Sequence, residues 1–71
     1  MITEREKAML RLVADGLTNH QIGVRLHYSD GAISRCLSEL MQRWSVHNRA
    51  HLVWRALEMG ALATPSQPAG R

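Results

Sequence analysis

The residues best suited to chemistry in this chain of 71 residues lie near its middle. Arg35 stands among Gly31, Ser34 and Ser38, three small residues that would leave a long guanidinium clear of its neighbours. A guanidinium so placed matches the O6 and N7 acceptors of guanine, which it can engage through two parallel N–H donors. Other chemistries find less support. His47 and His51 are four apart, but no carboxylate or third ligand sits at helical spacing beside them, so no metal site is expected. Cys36 is the only cysteine, which excludes an internal disulfide and suits a reducing compartment. No phosphate-cradling glycine loop and no nucleophile–base pair stands out, so neither an enzyme nor a cofactor is expected.

Charge placement agrees with a nucleic-acid partner. The net charge is +3, and the ends of the chain carry balanced charges. The excess lies in residues 25–57, where Arg25, Arg35, Arg43, Arg49 and Arg55 face only Asp30 and Glu39. A localised basic excess is the electrostatic footprint of a polyanion binder. No apolar run approaches the ~20 residues of a membrane span, and no basic-then-apolar leader opens the chain. Met1 runs directly into patterned sequence, which gives the expectation of a self-contained chain.

The elements that must position Arg35 are helices. Thr3-Glu4-Arg5-Glu6 is a capping box, with Thr3 as cap and Glu6 reaching back. Met9, Leu10, Val13 and Ala14 follow at helical spacing, and Gly16 ends the helix. Thr18-Asn19-His20-Gln21 repeats the box and opens a short second helix with Ile22 and Leu26 inward, stopping near His27. Ser29 caps a third helix to about Arg43, with Ile33, Leu37, Leu40 and Trp44 along its buried face. The opposite stripe is Gly31, Ser34, Arg35, Ser38 and Gln42. Asn48 caps a fourth helix ending at Gly60. Residues 64–71 contain both prolines and no large apolar side chain, and read as a flexible tail. The fold class is therefore all-α: a compact four-helix domain over residues 1–63, with its second and third helices forming a helix-turn-helix.

In that geometry the third helix enters the major groove, and Ser34, Arg35 and Ser38 are the expected base contacts. Thr18, Asn19, Ser29, Arg43, Asn48 and Arg49 are the expected contacts to the DNA backbone, those at helix starts being aided by free amides.

These residues resemble a known family. Ile2-Thr3-Glu4-Arg5-Glu6, Gly16-Leu17-Thr18-Asn19-His20-Gln21-Ile22, Arg25-Leu26, Ser29, Val46 and Arg49-Ala50 are similar to the LuxR-type (GerE-like) DNA-binding domain. Its usual form reads L-T-x-R-E, then G-x-S/T-N-K-x-I-A, then S-x-x-T-V-K-x-H, and the resemblance covers about residues 2–62. It implies a bacterial transcription regulator of the cytoplasm and nucleoid, a third helix that reads bases, and a fourth that pairs two copies on DNA. A chain of this length resembles the stand-alone members. Ala32-Ile33-Ser34-Arg35-Cys36 departs from the family's Thr-Val-Lys-x-His, so the common base-contacting lysine is Ser34 here. The third helix ends Arg43-Trp44-Ser45-Val46 without the family's glycine. The Ser-Arg-Cys-Leu-Ser run also resembles the promoter-reading domain of sigma factors, which lacks the fourth helix.

The fourth helix is apolar around most of its circumference. Leu52, Ala56 and Met59 are assigned to the domain's own core. Ala50, Val53, Trp54 and Leu57 form a second stripe at i, i+3, i+4 and i+7, and a helix apolar nearly all round is normally buried nearly all round. The expected cover is a second copy, giving a homodimer on double-stranded DNA. The rival reading is a helix-turn-helix used as a protein-interaction module for another regulator, a sigma factor or RNA polymerase.

Overall fold

The computed structural model describes residues 2–62. The tail expected at residues 64–71 lies outside them, as does the last residue of the expected domain. Four helices follow in order: α1 (Glu4–Ala14), α2 (Asn19–Leu26), α3 (Asp30–Arg43) and α4 (Arg49–Glu58). No strand occurs among the described residues.

Each helix begins where a side chain can satisfy an orphan amide. Thr3 and Thr18 make complete capping boxes with Glu6 and Gln21. Ser29 accepts from the Ala32 N–H at 3.1 Å, and Asn48 from the His51 N–H at 2.7 Å. Such caps contribute about 1 kcal/mol each.

The helix ends share one device as well. After α1, Gly16 turns left-handed (φ 91°), and the Leu17 and Gly16 amides return to the Leu12 and Val13 carbonyls. After α4, Gly60 does the same (φ 75°), with Ala61 returning to Ala56. After α3 the left-handed position is taken by Ser45 (φ 56°), and the Val46 N–H returns to the Met41 carbonyl at 2.9 Å. These three ends are Schellman motifs, in which two orphan carbonyls find partners. A left-handed His27 (φ 66°) ends α2, and the Tyr28 N–H donates to the Gly23 carbonyl at 2.8 Å.

The core joins all four helices. Met9, Leu10 and Val13 of α1 meet Ile22 of α2, Ile33, Leu37 and Leu40 of α3, and Leu52 and Ala56 of α4. Trp44, Val46 and Leu62 close it from the ends.

Three expectations need correction. Ala14 is exposed, since at about 100° per residue it falls at the edge of the stripe that Met9, Leu10 and Val13 bury. Met59 is 54% exposed and is not a core residue. The reason is the end of α4, which stops at Glu58 rather than Gly60. The left-handed Gly60 reverses the chain, the Leu62 N–H reaches the Ala56 carbonyl at 3.3 Å, and Leu62 fills the place assigned to Met59. The second stripe of α4 is also partly used within one copy: Val53 and Leu57 are half-buried against the core, while Ala50 and Trp54 stay exposed.

Candidate nucleic-acid interface

The turn between α2 and α3 depends on a residue whose role the sequence pattern did not disclose. Gly23 is buried, and a Cβ there would run into the backbone carbonyl of Tyr28. The absent side chain lets α2 and the following turn close on each other, which sets the angle at which α3 leaves. The signal was present as a glycine inside a helical run, which often marks close backbone approach. His20 spans the same turn, its Nδ1 lying 3.1 Å from Oδ1 of Asp30 at the start of α3.

With its apolar face in the core, α3 presents Gly31, Ser34, Arg35, Ser38 and Gln42 to solvent. Arg35 has no ion pair among the described residues. Its side chain is exposed, and its neighbours Gly31, Ser34 and Ser38 on that face are small.

The residues expected at the DNA backbone divide into two groups. Thr18, Ser29 and Asn48 each accept a backbone N–H at their helix start. Accepting leaves the hydroxyl hydrogens of Thr18 and Ser29, and the Asn48 amide hydrogens, able to donate outward. Arg43 and Arg49 are tied within the domain. Arg49 donates to Asn19 Oδ1 at 2.7 Å and to the Leu17 carbonyl at 2.9 Å, pinning the start of α4 to the start of α2. This fixes Asn19 with its oxygen inward.

Arg43 reaches across to α1, where its Nη2 lies 3.3 Å from Oε2 of Glu6. Burial alone would push the Glu6 carboxyl up, but the Thr3 backbone N–H and the Arg43 guanidinium outweigh it and hold it below the usual carboxylate range. Neither tie was visible in the sequence, because the partners are 30 and 37 residues apart.

Comparison with known proteins agrees with this fold. The family of bacterial regulatory proteins called luxR matches residues 1–56. The chain belongs to the LuxR family. The family is one of DNA-binding regulators of transcription and is not a class of enzymes. A "Probable transcriptional regulator ycf29" of Porphyra purpurea is 44% identical over 52 residues, 73% of this chain and 25% of the relative. The "Transcriptional regulatory protein DesR" of Bacillus subtilis is 34% identical over 59 residues, 83% of this chain and 30% of the relative. The "Transcriptional regulatory protein DegU" of Brevibacillus brevis is 30% identical over 60 residues, 84% of this chain and 25% of the relative. The LuxR-family domain therefore spans about a quarter to a third of the length of these relatives. Among its described residues no helix is long and apolar enough to cross a membrane. Where the family motif continues with alanine after the isoleucine of its second helix, this LuxR-family chain has Gly23.

Proposed function

We propose that this domain regulates transcription by binding duplex DNA sequence-specifically, with α3 in the major groove and two copies bound together. The observation that carries the reading is the outer stripe of α3, where Arg35, without an ion pair among the described residues, stands among small residues. In this reading Ser34, Arg35 and Ser38 face base edges, and Arg35 carries most of the specificity, since a serine hydroxyl reaches less far than the family's lysine. The Thr18 hydroxyl, the Asn19 amide and the free amides of α2 meet one phosphate strand. Ser29 and Asn48 add donors from their helix starts. Arg49 serves the backbone contact through Asn19, as a positioning residue, and Arg43 lies beside the groove with its guanidinium anchored to Glu6. The compartment is the cytoplasm, at the nucleoid.

Pairing follows from α4. Trp54 is 60% exposed, and with Ala50 it forms the uncovered crest of a stripe whose base, Val53 and Leu57, rests on the core. A second copy packed crest to crest would remove both tryptophans from water and set two α3 helices about one DNA turn apart. The exposure of Trp54 would equally suit a heterologous protein such as RNA polymerase or another regulator, and the binding data separate the two.

Selection of a preferred site from random duplexes, followed by titration of Arg35→Ala, tests the reading. Affinity for the selected site should fall by about 1–3 kcal/mol while binding to random duplex changes much less. Equal losses on both duplexes would remove Arg35 from base reading. A wild-type protein that binds no duplex, yet still captures a protein partner, would favour the interaction module.

A further inference from the structure

The flanks of α3 are occupied unequally. Asp30 and Ser34, four apart, lie on the side of α2, where Asp30 meets His20. Ala32, Cys36 and Arg43 share the opposite flank, on the side of α1, where Arg43 meets Glu6. A helix lying in a major groove has a phosphate strand on each side. The α2 side is supplied by Thr18, Asn19 and the amides of α2. On the α1 side Arg43 is anchored to a carboxylate, so that strand needs another cation.

Arg5 stands there. Its guanidinium carbon lies 5.3 Å from the centre of the Tyr28 ring, over the turn that leads into α3. The two residues wall a cleft of about 200 Å³ that also borders Ala32, Arg35 and Cys36. Arg5 is exposed and has no ion pair among the described residues, unlike Lys7, Arg11 and Arg43. A cation–π contact engages the charge of the guanidinium and leaves its N–H donors free to meet oxygen acceptors. Tyr28 thus restricts a flexible side chain without consuming its hydrogen bonds, and the contact itself is favourable.

We propose that Arg5, held on the Tyr28 ring, is the phosphate contact on the α1 side of the groove. Arg35 then reads bases between two anchored strands. The inference rests on the DNA-binding reading above, and the experiment separates the two.

Binding of wild type, Arg5→Ala, Arg5→Lys and Arg11→Ala to the selected and to a random-sequence duplex is measured across a salt series. Losing one phosphate contact should make the log–log salt slope of Arg5→Ala shallower by about 0.9 on both duplexes. Its deficit should accordingly shrink about three- to fourfold between roughly 50 and 200 mM salt. Arg5→Lys should keep the slope. So should Arg11→Ala, which removes the same charge from α1 at a residue paired with Asp15. Should Arg5→Ala melt early, Arg5→Gln, which keeps the aliphatic stem, gives the same reading. A wild-type slope in Arg5→Ala, or an equal loss in Arg11→Ala, overturns the proposal while leaving DNA binding intact. Failure of the wild type on both duplexes overturns both.

Discussion

Trp44 ends α3 and is 9% exposed, enclosed with Val46, Leu52 and the other core side chains. Trp54 lies one helix later and is 60% exposed. Both sit in apolar helical patterns, and both follow an arginine-containing stretch, so local sequence treats them alike. What separates them is where the rest of the chain passes. Trp44 is at a helix end, where the chain reverses over it and supplies Val46 as a second wall. Trp54 is in mid-helix, on the side of α4 away from α1. Burial of an aromatic is decided by the path of other segments, and the periodicity of its own helix states only what it shares a face with.

The largest effect that would test this contrast is on Trp44. Trp44→Ala should destabilise the fold by about 3–5 kcal/mol, read by denaturant unfolding. In a domain this small that is much of the total stability. A loss under about 1 kcal/mol would mean that the end of α3 collapses readily around the gap, and that Trp44 is a lid rather than a core residue.

Trp54→Glu probes the other side. Its effect on folding should be no more than about 1 kcal/mol, since an exposed position seldom contributes more. Its effect on assembly should be large: sedimentation and mobility-shift experiments should find a helical protein that no longer loads on DNA in pairs. A variant that still pairs would take Trp54 out of the interface, and one that unfolds would place it with Trp44.

The same contrast explains how much could be read in advance. The starts of the four helices were legible because Thr3, Thr18, Ser29 and Asn48 are local signals, complete within four residues. The polar stripe around Arg35 was legible because spacing on one helix is a local matter too. Met59 was misassigned because the competitor for its place, Leu62, returns through a turn beyond the helix. The ties of Arg49 to Asn19, of Arg43 to Glu6 and of Arg5 to Tyr28 all join residues far apart in the sequence, and nothing local distinguishes a tied arginine from an available one. Gly23 is intermediate: its residue type signalled a close approach, but its partner, the Tyr28 carbonyl, appeared only with the fold.

The turn that parts the two tryptophans supplies the smallest and sharpest test. Ser45 adopts φ 56° at the position where Gly16 and Gly60 serve the corresponding ends of α1 and α4. A residue with a Cβ is disfavoured in that conformation by about 1–2 kcal/mol. Glycine removes this strain but brings back conformational entropy in the unfolded chain, roughly 0.5–1 kcal/mol in the other direction. The difference leaves Ser45→Gly more stable by about 0.5–1 kcal/mol, detectable as a rise in the unfolding midpoint without a change in slope. The sign is informative about both regions. A gain means that the Schellman geometry dictates the turn and that Ser45 is merely tolerated between Trp44 and Val46. A loss would show that the serine itself holds the reversal, so that the burial of Trp44 and the exposure of Trp54 depend on a side chain and not on the backbone alone.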